Sequence, residues 1–243
     1  MTDRDLALRA LRCLDLTNLN DSCASADIDA LIAKASTRFG HVAAICIWPQ
    51  FVAQAKSALV GTDVRIATVI NFPSGDESIE TSCRMTRQAI ADGANEIDVV
   101  LPWKAFLKGD VDTARALLIA VAEVTKPKAH LKVILETGEF KTPDLIQHAS
   151  ELAIGCGADF IKTSTGKVPV SATAEAARVM LDVIKASGKI IGFKASGGIR
   201  SFDDAKLYLQ LCDEIMGAGW AKPETFRFGA SGLLDALLER LAT

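Results

Sequence analysis

Short runs of Val, Ile and Leu alternate along the chain with longer stretches in which apolar residues recur at helical spacing. Eight such runs are present, beginning near Cys13 (CLDLT), His41 (HVAAICIW), Arg65 (RIATVINF), Glu96 (EIDVVLP), Leu131 (LKVILET), Asp159 (DFIKTS), Ile190 (IIGFKAS) and Phe226 (FRFGAS). Their mean spacing is about 30 residues, the size of one strand-plus-helix unit, and the alternation is that of a parallel sheet. The intervening stretches carry helix start and stop signals. Pro49 and Pro143 suit first turns, Thr142, Ser171 and Ser201 suit N-caps, and Gly93, Gly188 and Gly217 fall where a left-handed C-cap belongs. DGANEIDVV (92–100) and CGADFIKTS (156–164) resemble each other, a weak internal repeat of helix end, turn and strand. A doubly wound sheet shares this alternation, but no GxGxxG follows the first run, and eight units predict a TIM (β/α)8 barrel. A short extra helix precedes the first strand. No linker-like segment divides residues 1–243, which are read as one catalytic domain.

Composition narrows the partners. The 243 residues are 49% hydrophobic and 23% charged, with a formal net charge of −3 and a pI near 5.7. No basic tract is present, which argues against nucleic acid or an anionic membrane, and no run reaches the length of a membrane span. The opening residues mix acids with bases and read as neither a signal nor a transit peptide. Six cysteines lie scattered without a CxxC pair, the pattern of reduced thiols in the cytosol.

In a TIM barrel the chemistry sits at the C-terminal ends of the strands, so polar residues there stand out. Asp15 ends the first run, Cys46 lies late in the second, and Asp98 is inside the fourth. Glu136, Lys162 and Lys194 end the fifth, sixth and seventh. Lysine is rarely buried, and one alone reads as readily as a structural residue, a salt-bridge partner or a chain reaching solvent, as it does as a functional one. Two on neighbouring strands repel, which favours the free amine on one of them, and an amine beside a carboxylate is the equipment for Schiff-base chemistry.

An anion site is expected on the loops after the seventh and eighth strands. Gly197 and Gly198 follow Lys194, and Gly229, Ala230, Ser231 and Gly232 precede the last helix; each pair alone suits a tight turn, whereas both on the expected loops suit phosphate. Lys167, in the TSTGK loop, adds a charge. His41, His130 and His148 all lie away from the strand ends, so no metal site and no cofactor are expected.

At these residues the chain resembles the deoxyribose-phosphate aldolases. The likeness runs through LDLTNLN (14–20), AAICIWPQF (43–51), RIATVINFPSG (65–75), NEIDVVLP (95–102), LKVILETGE (131–139), GADFIKTSTGK (157–167), GFKASGGIR (192–200) and FRFGAS (226–231). The resemblance implies a class I aldolase, a carbon–carbon lyase that cleaves 2-deoxy-D-ribose 5-phosphate to D-glyceraldehyde 3-phosphate and acetaldehyde. It implies Lys162 as the Schiff-base lysine, Lys194 as the lysine that perturbs it and Asp98 as the carboxylate of the proton relay. It also implies that Asp15 supports the lysine pair, that Cys46 lines the pocket, and that Thr165, Lys167, Gly197, Gly198, Gly229 and Ser231 bind substrate, chiefly its phosphate. A sugar phosphate and its aldehydes are then the partners, with a homodimer an open option.

The chain departs from the family at two places. Some members end in a tyrosine that reaches the site, whereas this sequence closes on Ala242 and Thr243 and its one tyrosine, Tyr208, falls in a predicted helix. Gly232 stands where some members have a second serine. A Schiff-base aldolase for another sugar phosphate and a barrel that only binds such a ligand are the competing readings.

Overall fold

The computed structural model describes residues 1–242 and closes eight parallel strands into a barrel. The chain enters through α1 (Asp3–Arg12), the extra helix, which a Thr2–Asp5 capping box starts and whose Leu6, Ala7, Ala10 and Leu11 form the buried stripe. β1 (Leu14–Asn18) and α2 (Ser25–Lys34) follow, then a small antiparallel ribbon of β2 (Ser36–Thr37) and β3 (Gly40–His41), and β4 (Ala44–Ile47). The remaining barrel strands are β5 (Arg65–Ile70), β6 (Glu96–Val100), β7 (His130–Ile134), β8 (Phe160–Lys162), β9 (Gly192–Ser196) and β10 (Phe226–Ala230). Around them run α3 (Val52–Ala58), α4 (Ile79–Asp92), α5 (Trp103–Leu107), α6 (Val111–Thr125), α7 (Pro143–Gly155), α8 (Ala174–Ser187), α9 (Phe202–Met216) and α10 (Leu233–Ala242). β1 pairs with both β4 and β10, which closes the ring, and each predicted run holds one barrel strand.

Strand alternation sorts side chains between two layers. Ile97, Val99, Leu131, Val133, Ile161 and Phe193 join the apolar layer under the helices. Their neighbours Asp98, Lys132, Lys162 and Lys194 point inward, and all are buried. Gly192 also faces a crowded interior: a Cβ there would lie 2.2 Å from the Phe160 ring, which fills that space instead.

The structure corrects several boundaries. The second barrel strand starts at Ala44, because His41 is spent on the β2–β3 ribbon that turns at Gly40, φ +116°. Ile190 is 92% exposed, and β9 begins two residues later. Ser171 does not cap α8; its Cβ packs beside Gly197, where a Cβ would approach it to 2.5 Å, and the hydroxyl of Thr173 accepts from the Ala176 N–H as the cap. Ser201 caps α9 as expected, with a full capping box, and Gly93 and Gly188 are left-handed C-caps. Gly217 ends α9 with φ +96°, ψ 151°, outside the left-handed helical region, and Thr142 precedes α7 without a side-chain cap bond. Pro49 opens a short 3-10 turn ahead of α3.

Candidate active site

The inward faces of six strands converge on a buried charge cluster. Asp98 is its centre: its Oδ1 accepts from Lys132 Nζ at 3.0 Å, and its Oδ2 accepts from Lys162 at 2.9 Å and Lys194 at 2.8 Å. Both predicted lysines therefore sit on one oxygen, and they are register partners on adjacent strands. Lys194 also donates to Asp15 Oδ2 at 2.5 Å, and Asp15 Oδ1 accepts from Arg227 at 2.6 Å. Arg227 forks onto Glu96 at 2.8 and 3.0 Å, and Lys132 closes the circuit onto Glu96 Oε2 at 2.5 Å. Asp98, Lys162, Lys194 and Asp15 are thus brought together as expected. Lys132, Glu96 and Arg227 are additions that the search of strand ends missed.

These contacts fix most of the charges. Burial by itself raises the carboxyls of Asp15 and Asp98, yet the surrounding cations outweigh it and hold both well below the ordinary aspartate range. Glu96 is lowered for the same reason, with Lys132 and Arg227 opposing its burial. Burial would lower Lys194, but Asp15 and Asp98 overcome it and raise the ammonium above its ordinary value. Lys194 is therefore a cation.

Toward the mouth the interior divides into an apolar and a polar side. Cys46, Ala67, Val69 and Leu19 form a small apolar wall, against which pack Trp48 and Phe72, edge to face with each other at 5.5 Å between ring centroids. Burial raises the Cys46 thiol, as expected of a core cysteine. On the polar side opens a cavity of about 390 Å³. Thr165, Lys167, Gly197, Gly198, Gly229 and Ser231 all line it together with Ala230, whereas Gly232 is not among the lining residues. Its floor is Thr17, Ser196 and Gly229, each two residues past Asp15, Lys194 and Arg227 on the same inward face. Gly229 has a second reason to be glycine, because a Cβ would lie 2.6 Å from Ser196 Oγ and 3.0 Å from Lys194 Cε.

The sequence profile of DeoC/LacD family aldolases matches residues 9–238. The chain belongs to that family. It is 54% identical to the deoxyribose-phosphate aldolase of Agrobacterium fabrum over 241 residues, 98% of this chain and 93% of the relative. Among solved structures it resembles QR15, an aldolase, at 30% identity and TM-score 0.81, with 96% of each chain covered. It also resembles the tetrameric deoxyribose phosphate aldolase of Aeropyrum pernix at 25% identity and TM-score 0.79, covering all of this chain and 93% of that one.

In this DeoC/LacD aldolase, residues without a predicted role complete the cavity. Arg200 lines it from the strand-β9 loop, Asn18 from the end of β1 and Asn20 from the loop after β1. Lys167 Nζ donates to Asp21 Oδ1 at 3.0 Å across the cavity mouth. Glu136 turns its carboxylate onto the loop after β8: Oε1 accepts from the Thr165 N–H at 3.1 Å and Oε2 from the Thr165 hydroxyl at 2.5 Å. Burial raises the Glu136 carboxyl, against the opposing effect of those two bonds. The histidines lie outside this site: His41 pairs with Asp63, His130 faces Asp159 at 4.0 Å, and His148 is on α7.

Proposed function

We propose that this aldolase cleaves 2-deoxy-D-ribose 5-phosphate reversibly to D-glyceraldehyde 3-phosphate and acetaldehyde, through a Schiff base on Lys162. The observation that carries the assignment is the charge count of the cluster. Three carboxylates, Asp15, Glu96 and Asp98, contact four buried cationic side chains, Lys132, Lys162, Lys194 and Arg227. One neutral amine balances the set. Lys194 and Arg227 each hold two carboxylates and Lys132 bonds two, whereas Lys162 touches Asp98 alone. Lys162 is the member held by the fewest carboxylates, and its strand ends at the mouth of the barrel.

The neutral amine of Lys162 adds to C1 of the open-chain sugar phosphate, and loss of water gives the iminium. Removal of the C3 hydroxyl proton lets the C2–C3 electrons flow into the iminium, releasing D-glyceraldehyde 3-phosphate and leaving an enamine. Protonation at C2 and hydrolysis then release acetaldehyde and the free lysine. Asp98, Lys194 and a water are the proton carriers. Lys167, Arg200 and the amides of the 197–198 and 229–231 loops hold the phosphate, with the start of α10 behind them.

Borohydride in the presence of acetaldehyde should leave a stable adduct on the peptide containing Lys162, read by mass spectrometry. Lys162→Arg should abolish it, because a guanidinium stays protonated. An adduct on Lys194 or Lys167 would overturn the roles while keeping the reaction class. We further propose that the reaction needs no metal, on the composition of the cluster: excess EDTA should leave turnover unchanged, and zinc-restored activity after chelation would remove the Schiff-base assignment. A cytosolic enzyme of one catalytic domain, associating as a homodimer, completes the proposal. Six unbonded cysteines support the compartment, and light scattering tests the assembly. Among the described residues no helix is long and apolar enough to cross a membrane.

A further inference from the structure

Two residues other than glycine hold positive φ, and both follow a barrel strand at the active-site end: Asn71 after β5, φ +57°, and Glu136 after β7, φ +63°. Asparagine enters this region readily, whereas glutamate does so only where its surroundings over-determine the conformation. For Glu136 those surroundings are the loop after β8. The Leu135 and Thr137 N–H groups donate to Lys162 O and Thr163 O, each at 2.9 Å, and a Cβ on Gly138 would come within 1.8 Å of Val170 O, so the two segments are in close contact on both sides of Glu136. The Glu136 carboxylate then takes both donors of Thr165, its N–H and its hydroxyl. With its proton committed to Glu136, the Thr165 oxygen is free to accept from the Lys167 N–H at 3.0 Å. The chain of contacts runs from Glu136 through Thr165 to Lys167, five residues past Lys162.

We propose that Glu136 is a positioning residue: by receiving both donors of Thr165 it sets the 162–167 loop so that Thr165 and Lys167 face the phosphate-side cavity. This rests on the assignment of that cavity to the substrate phosphate. Glu136 is 1% exposed and its carboxylate bonds Thr165 rather than the lysines, so its effect on catalysis passes through the loop. The Gly138–Val170 contact explains why this geometry needs the strand-β7 loop to be folded back, and the positive φ of Glu136 is what folds it.

The test is a double-mutant cycle on the full chain with deoxyribose 5-phosphate. Glu136→Ala and Thr165→Val should each raise KM roughly tenfold, the scale of one lost buried hydrogen-bond set, with kcat changed far less. The double variant should be little worse than either single variant, because both break one chain of contacts. Glu136→Gln, which keeps one acceptor oxygen for the Thr165 N–H, should be milder than Glu136→Ala and guards against a folding failure of the latter. Acetaldehyde, which has no phosphate, should still be trapped on Lys162 in every Glu136 variant. Additive KM penalties, a fall in kcat at constant KM, or lost trapping in the Glu136 variants would overturn the positioning role. Trapping in the parent enzyme reports on Lys162 alone, so its failure there would point to the Schiff-base reading rather than to Glu136.

Discussion

Asp98→Asn is the substitution to which the charge cluster is most sensitive. Asp98 accepts from three lysines, at 3.0, 2.9 and 2.8 Å, and is fully buried. An amide keeps one acceptor oxygen but turns an NH2 toward an ammonium, and it leaves two carboxylates facing Lys132, Lys194 and Arg227 as well as Lys162. Removing one partner of a buried ion pair costs about 3–5 kcal/mol. For a chain of 243 residues, at about 2–4 °C per kcal/mol, this corresponds to a fall in Tm of roughly 6–20 °C.

The pH dependence of that loss has a definite sign. In the parent, the Asp98 carboxyl is held far below its ordinary value. Its contribution is complete above the unfolded pKa of about 4 and is lost only as the pH falls through the folded value. In Asp98→Asn the crowded cations are relieved when the folded cluster sheds a proton. The folded state then binds fewer protons than the unfolded state, so stability relative to the parent should recover as the pH rises from 7 toward 10. Thermal melts of both proteins across that range read this directly. Turnover should fall by about 10²–10⁴, the usual worth of a positioned proton carrier, while acetaldehyde trapping on Lys162 survives. A variant with near-parental turnover, or a Tm deficit that does not narrow with pH, would refute the cluster as the proton relay.

Two further substitutions probe the walls of the site. Cys46→Ser should fold and keep most of its turnover, because the thiol lies in an apolar wall with its ionisation pushed up; a collapse in turnover without unfolding would reveal a chemical role. Arg200→Ala should raise KM for the sugar phosphate by roughly ten- to a hundredfold, the worth of a charge-assisted hydrogen bond, and leave acetaldehyde trapping unchanged. An unchanged KM would move the phosphate away from the β9 loop.

Periodicity made the barrel legible, since parallel strands covered on both faces read as nearly continuous apolar runs. The lysine pair and Asp98 were also legible, as charges at positions where a core residue belongs. Lys132, Glu96 and Arg227 carry the same signal, a single charge beside apolar neighbours in Leu131-Lys132-Val133, Glu96-Ile97 and Phe226-Arg227-Phe228. They stand at the start or middle of their own strands rather than at the ends, although Lys132 is the register partner of Asp98 and Arg227 that of Lys194. The pairing itself was hidden. Asp15 meets Lys194 and Asp98 meets Lys162 across an intervening strand, contacts that appear only when the barrel closes. Glu136 was visible at a strand end, but its role depends on a left-handed backbone that glutamate does not advertise. Ser171 misled because a hydroxyl before a helix reads as a cap, and the adjacent glycine loop claimed it instead.

For the proposed Schiff base on Lys162, the count of charges also bears on why an iminium would form there. With Lys162 neutral, the buried groups balance, three carboxylates against Lys132, Lys194 and Arg227, with the partly exposed Arg65 reaching Glu96 from outside at 3.7 Å. Forming the iminium returns a positive charge to Lys162 and makes the cluster a net cation in a site with little access to water. Such a site penalises an uncompensated charge far more than bulk solvent does. Electron flow from the breaking C2–C3 bond removes that charge by producing the neutral enamine, so the cluster that must bear the iminium also favours its collapse. Asp98 lessens that penalty without being required for iminium formation, because its Oδ2 lies 2.9 Å from the Lys162 nitrogen. Lys194, held by Asp15 as well as Asp98, keeps its own charge through both steps and so prevents Asp98 from fully neutralising the iminium. On this argument Lys194→Met, which removes that competition, should stabilise the iminium and slow its conversion to the enamine, so that trapping with acetaldehyde persists while carbon–carbon bond cleavage becomes rate-limiting.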